Sequence, residues 1–259
     1  MRKQRGLTLF VIPVFLFLFI PLLIIIVTSF GENPTIQFPI EGFTLDWYAN
    51  VFRTGGFLTS FWLSLRISFL ATLLALAIGV PAAYALSRFE FPGRKGLKSF
   101  FLSPTIIPGV VVGFALFQFI VIRMQIPIFY GLLLGHFLIS LPYIIRVVGS
   151  SLEQLDFSLE EASWTLGCTR FVAFFKIVLP NITSGIYAAF MLAFINSFNN
   201  IPVSQFLTGP GFTALPTNLM GYIEYNYDPT VSALSVLLML LTIGLMIIIE
   251  KTLGLASIS

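Results

Sequence analysis

Residues 152–170 read Leu-Glu-Gln-Leu-Asp-Phe-Ser-Leu-Glu-Glu-Ala-Ser-Trp-Thr-Leu-Gly-Cys-Thr-Arg, and the segment continues through Lys176 to Ile177-Val178-Leu179-Pro180. Four of the chain's eleven acidic residues fall here: Glu153, Asp156, Glu160 and Glu161. Ser158 and Glu161 have the Ser-x-x-Glu spacing of a capping box, which predicts a helix start. Leu159, Ala162 and Leu166 then recur on one helical side. Gly167 suits the left-handed turn that ends such a helix, and Thr169 can cap a second one carrying Arg170, Phe171, Phe174 and Phe175. Two short polar helices joined by a tight turn are expected, and nothing in that arrangement is catalytic.

This polar island sits in an otherwise lipid-soluble chain. Of 259 residues, 57% are hydrophobic and 10% charged, against about 25% charged in a soluble domain. Apolar runs predict six membrane helices near residues 7–29, 61–86, 100–122, 129–148, 182–198 and 229–249, in one all-α polytopic domain over 1–259. The first run is too long for a cleavable signal and is read as a retained span. Its Pro13 and Pro21 are tolerable in a membrane helix. Ala71, Ala75, Gly79 and Ala83 recur every fourth residue, a spacing that lets helices approach closely. Trp47 and Tyr48 suit an aromatic anchor in the outer segment 30–56, and residues 199–227, rich in Gly, Pro and Asn, read as an outer loop.

With six spans, both termini, the 87–99 loop and the segment 150–180 share one side of the bilayer. Eleven of the fourteen Lys and Arg residues lie on that side. The positive-inside rule therefore places it in the cytoplasm. The single Cys168 and single His136 leave no disulfide and no multi-histidine metal centre. His136 reads as a helix-packing residue rather than a proton relay, and Asp228 as the cap of the last helix. Arg66, about a turn inside the second span, is expected to snorkel outward.

Glu161-Ala162-Ser163, Gly167 after three residues, and Ile177-x-Leu179-Pro180 after nine more resemble the EAA motif of permease subunits in binding-protein-dependent ABC importers. Ser163 replaces the second alanine. The resemblance implies a MetI-like type I importer fold, with the 150–180 loop as a coupling element that seats on a separate ATPase. It carries over the coupling residues Glu160, Glu161, Ala162, Ser163, Leu166, Gly167, Arg170, Leu179 and Pro180. The chain has no Gly-x-x-x-x-Gly-Lys-Ser/Thr phosphate loop of its own. The resemblance implies no cofactor on this chain, with ATP and Mg bound by the partner ATPase. The implied partners are a homologous permease as a heterodimer, two ATPase subunits, an extracytoplasmic solute-binding protein and the lipid bilayer, without nucleic acid. The implied location is a bacterial inner (plasma) membrane.

A narrower resemblance to spermidine/putrescine permeases rests on Gly42-Phe43-Thr44-x-x-Trp47-Tyr48, Ser103-Pro104-x-x-x-Pro108, His136 before Leu141-Pro142, and Leu207-Thr208-Gly209-Pro210 with Leu215-Pro216. It implies an organic amine or polyamine-like solute. Where that class places an Asp-Asp pair, this chain has Asn199-Asn200, which offers hydrogen bonds without charge. The pair either turns the chain or lines a path suited to a less cationic solute. Gln118 and Asn196 either line that path or bond a neighbouring helix. A self-sufficient secondary transporter or channel is the alternative class, and it predicts inverted repeats or a charged midplane site.

Overall fold

The computed structural model describes residues 2–53 and 56–253, with side chains assigned over most of that span. The described residues are almost entirely helical. In chain order the helices begin with α1 (Arg2–Thr28), α2 (Asp46–Arg53), α3 (Phe57–Arg88), α4 (Arg94–Leu102) and α5 (Gly109–Leu116). Then come α6 (Ile128–Gln154), α7 (Ser158–Thr165), α8 (Arg170–Ala173), α9 (Leu179–Asn181) and α10 (Thr183–Phe198). The last are α11 (Ile201–Phe206), α12 (Leu215–Tyr225) and α13 (Thr230–Leu253). A π-helical turn, Phe117–Arg123, prolongs α5, and another, Phe174–Val178, joins α8 to α9.

Among the described residues, three helices are long and apolar enough to cross a membrane: Val11–Thr28 of α1, Phe57–Arg88 and Ile128–Gln154. Two bent pairs raise the number to five if each is one span. The expected helix 100–122 is one of them, with a sharp break near its start: Arg94–Thr105 and Gly109–Arg123 meet at 97°. Pro108 holds an extended backbone at the break (φ −53°, ψ 129°), and prolines cannot donate the hydrogen bonds that would carry a helix through. The second pair, Arg170–Asn181 and Thr183–Phe198, bends by 72°. The expected sixth span corresponds to α13, whose residues Thr230–Gly244 form an apolar helix among the described residues. The expected tail beyond α13 lies outside the described residues.

Two expected loops contain helices. In the 199–227 segment, Asn200 caps α11 and Pro202 sits in its first turn; α12 likewise carries Pro216 in its first turn. Proline is favoured at a helix start, where its missing N–H is not needed. The 87–99 loop gives way to α4 after Gly93, which adopts a left-handed φ of 86°.

Contacts divide the chain into two compact units, Met1–Thr59 with Asn218–Ser259, and Ser60–Thr217. In the first, α1 meets α13 through the Thr28 and Ser232 hydroxyls (3.1 Å), and Asn50 of α2 donates to Thr230 Oγ1 (2.9 Å). Trp47 and Tyr48 fold α2 back on the end of α1: Trp47 Nε1 donates to the Gly31 carbonyl (2.7 Å), and the Tyr48 and Ser29 hydroxyls lie 2.7 Å apart. Asp228 caps α13 as expected, accepting from the Thr230 N–H (2.9 Å). It also accepts from the Tyr222 hydroxyl (2.8 Å).

In the second unit the small-residue stripe packs as its spacing predicts. Ala71, Ala75 and Ala83 are buried. A Cβ on Gly79 would stand 2.7 Å from Ile144 Cγ2 of α6. The main core joins Ala75, Val80, Tyr84 and Leu86 of α3 to Leu141, Ile144, Val148 and Leu152 of α6, with Phe174, Val178 and Ala189. His136 is buried, its Nδ1 2.8 Å from Ser197 Oγ and its Nε2 3.0 Å from Ser204 Oγ. It cross-links α6, α10 and α11. Arg66 is exposed on α3.

Candidate functional site

The polar loop starts where α6 stops. Leu155 turns to extended backbone (φ −76°, ψ 126°). Asp156 Oδ1 then accepts from the Ser158 N–H at 2.9 Å. This bond holds the Asp156 carboxyl below its ordinary pKa. It also corrects the expected capping box: no side-chain bond from Ser158 caps α7, and the residue before it, Phe157, is already helical. Asp156 makes the local turn itself, as Asx side chains do two residues ahead, and its charge complements the helix N-terminus.

Each residue of α7 is turned about 100° from the one before it, so neighbours can differ in exposure. Leu159, Glu161, Ala162 and Thr165 are exposed, and Leu166 is 86% exposed. Glu160 and Ser163 are buried. At the far end Gly167 has φ 89°, with open space where a Cβ would stand. Its N–H donates to the Trp164 carbonyl (3.0 Å), and the Cys168 N–H donates to the Ser163 carbonyl (3.0 Å). These bonds satisfy carbonyls that the helix end leaves free. Thr169 Oγ1 then accepts from the Val172 N–H (3.3 Å), capping α8 as expected.

The inward face is anchored on α3. Arg88 Nε lies 2.7 Å from Glu160 Oε1, and the Tyr84 hydroxyl donates to Glu160 Oε2 at 2.7 Å. Arg88 Nη2 also donates to the Leu155 carbonyl (3.1 Å), and its guanidinium lies 5.1 Å from the Phe157 ring centroid. The carboxylate is fully buried and Arg88 is 11% exposed. Arg170 caps the other side, stacked over Trp164 (5.0 Å) and Phe89 (5.5 Å).

The nine residues singled out from sequence therefore divide. Glu161, Ala162, Leu166 and Gly167 face outward together, whereas Glu160 and Ser163 face inward. Arg170 is exposed but stacked on the loop's own aromatics. Leu179 packs against the core, and Pro180 is exposed just before the 72° bend. Tyr84, Arg88 and Phe157 were not foreseen as part of the site.

The four polar pathway candidates also separate. Asn196 Oδ1 accepts from the Tyr143 hydroxyl (3.2 Å). Asn200 Oδ1 accepts from the Val203 N–H (3.0 Å) and is the cap of α11. Asn199, at the end of α10, and Gln118, on the π-helical continuation of α5, are exposed.

Residues 75–252 match the family described as "Binding-protein-dependent transport system inner membrane component". The chain is 32% identical over 232 residues to the putrescine transport system permease protein PotI of Escherichia coli (strain K12), covering 87% of this chain and 82% of that protein. It is 30% identical over 241 residues to the spermidine/putrescine transport system permease protein PotC of the same strain, covering 92% and 90%. A solved bacterial ABC transporter involved in the import of the acidic polysaccharide alginate contains a chain of the same fold. Its TM-score is 0.70 at 16% identity, covering 98% of this chain and 96% of that one. With the family match spanning α3 to α13, this chain belongs to the binding-protein-dependent transport system inner membrane components and is a permease subunit of an ABC importer.

Proposed function

We propose that α7 and the Gly167 turn form the surface on which a separate ATPase subunit seats, and that this chain forms half of a path for a small organic amine. The observation that carries the docking reading is Leu166, 86% exposed beside Glu161 and Ala162 at the tip of a well-anchored loop. Exposed apolar surface at Leu166, together with Leu159 of α7, suits burial against a partner. Glu161 is free to pair with a basic group there.

In this reading the ATPase subunits bind ATP and Mg, two of them act on this chain and a homologous permease, and a solute-binding protein delivers solute from outside. The charge distribution supports a cytoplasmic loop and cytoplasmic termini. The amine reading comes from the similarity to PotI and PotC. Asn200 is occupied in capping α11, so the pair divides: Asn200 is structural and Asn199 is the residue open to solute.

The test is Gly167→Trp in the assembled transporter. The Cβ meets nothing within 4 Å, so the indole projects outward and the cost to the fold is the left-handed backbone alone, about 1–2 kcal/mol. We expect normal membrane insertion with loss of ATPase co-purification and of uptake. Gly167→Asn, which tolerates this backbone, is the control and should keep both. Wild-type uptake by Gly167→Trp would sink the docking assignment.

A further inference from the structure

We infer that Glu160 and Arg88 form a linkage that makes the coupling loop and α3 move as one body, so that Glu160 is a positioning residue for transport and not a contact for the ATPase. The inference rests on the docking reading above and assigns a different task to the other face of the same helix.

Two adjacent glutamates invite one role, but the structure gives them two. Glu161 is exposed, whereas Glu160 is fully buried, its Oε1 in an ion pair with Arg88 Nε (2.7 Å) and its Oε2 accepting a hydrogen bond from the Tyr84 hydroxyl (2.7 Å). Tyr84 and Arg88 are one turn apart on α3, so the carboxylate is gripped by two points of a single helix. Such two-point attachment resists rotation as well as translation of α7. Arg88 does more than pair. Its Nη2 holds the Leu155 carbonyl at the end of α6, and its guanidinium lies against Phe157 in the connector between α6 and α7. One side chain therefore ties α3, the end of α6 and the start of α7 together.

Apart from the stacking of Arg170 on Trp164 and Phe89, the loop's other connections are narrow. On one side it hangs from the extended Leu155 and the Asp156 turn, and on the other from the left-handed Gly167. A push on the outward face at Leu159, Ala162 and Leu166 would bend these tethers unless the inward face were fixed. Glu160 lies between Leu159 and Glu161 on α7, so it fixes the helix where it is pushed. α3 is a 32-residue helix able to cross the membrane, and its small-residue stripe locks it to α6. Motion delivered to α7 thus reaches two spans through Arg88.

Breaking one partner alone leaves a buried charge uncompensated and can unfold the loop, so the informative variant is the pair. Arg88→Met with Glu160→Ala removes both charges and relieves that penalty without restoring the link. The transporter is assembled with its ATPase in proteoliposomes, and ATPase co-purification, ATP hydrolysis and solute uptake are measured on the same preparation. We expect the double variant to retain the ATPase and to hydrolyse ATP, while uptake per ATP hydrolysed falls by at least about tenfold. A purely structural pair would leave that ratio unchanged. An unchanged ratio would overturn the linkage, as would loss of ATPase binding in the double variant, because the pair would then merely shape the docking surface. Tyr84→Phe, which removes one grip and no charge, should lower the ratio by a smaller factor. Failure of the docking reading shows separately, as retained ATPase binding and uptake in Gly167→Trp.

Discussion

Leu166→Ser is the sharpest test of the outward face, because it isolates contact from fold. Leu166 is 86% exposed and follows the last residue of α7, with φ −82° and ψ 8°. It contributes almost nothing to packing within the chain, so the substitution belongs with surface changes worth within about 0.5 kcal/mol of folding stability. Against a partner the account differs. Burying a leucine side chain is worth about 1.5–3 kcal/mol, and nearly all of that surface is still available on this residue. Losing it should weaken ATPase binding by about tenfold to a hundredfold, at about 1.4 kcal/mol per decade.

The measurement is a titration of the ATPase subunit against the permease in nanodiscs, with uptake in proteoliposomes beside it. Leu152→Ala provides the opposite pattern. Leu152 is fully buried in the core of α3 and α6, and its truncation should cost about 2–5 kcal/mol of stability, felt in yield and thermal midpoint before binding. An unchanged dissociation constant for Leu166→Ser would refute the reasoning, since Leu166 is the most exposed large apolar residue of the segment 150–180.

Other consequences follow from the packing. Gly79→Ala places a methyl 2.7 Å from Ile144 Cγ2, on a side chain with no exposed surface into which to swing. The overpacking should cost about 1–3 kcal/mol and lower the thermal midpoint, whereas Gly96→Ala, which meets nothing within 4 Å, should be neutral or slightly stabilising; equal midpoints would contradict the close approach of α3 and α6. His136→Leu strands the Ser197 and Ser204 hydroxyls, at about 1–3 kcal/mol, but should leave the pH profile of uptake unmoved because both ring nitrogens serve serines. A displaced pH profile would point to proton relay instead. Asn200→Ala should lose a helix cap worth about 0.5–2 kcal/mol while Asn200→Asp keeps it. Asn199→Asp should raise the preference for a dicationic amine over a neutral one, and unchanged selectivity would remove Asn199 from the path.

What could be read from the sequence was local chemistry. Gly167 needed a left-handed φ, Thr169 and Asp228 needed a nearby N–H, and the Ala71–Ala83 stripe needed a facing helix; each requirement is settled within a few residues or by one periodicity. The bend at Pro108 was harder, because membrane helices tolerate prolines, and the residue type does not distinguish a kink from a break. In 199–227 the same ambiguity ran the other way: Pro202 and Pro216 begin helices, yet a proline-rich stretch also describes a loop. Ser158 and Asp156 competed for one helix start with nothing in spacing to choose between hydroxyl and carboxylate. The inward turn of Glu160 was not legible at all. Its partner Tyr84 lies 76 positions away, and no local pattern carries information over that distance.

That distant contact explains how so short a helix can serve as a mechanical surface. α7 has eight residues, well below the roughly 12–15 at which an isolated helix becomes even marginal in water. Its order must come from outside its own hydrogen bonds, and beside the stacking of Arg170 on Trp164 three sources stand out: the Asp156 cap, the Gly167 reversal, and the grip of Tyr84 and Arg88 on Glu160. The first two define its ends and the third its orientation. Because all three act on the inward side or at the termini, the outward residues are free of structural duty. Leu159, Glu161, Ala162 and Leu166 can therefore be matched to a partner without destabilising the loop that presents them. The adjacent pair Glu160 and Glu161 is thus a division of labour across the width of one helix, with the buried member supplying the stiffness that gives the exposed member something to push against.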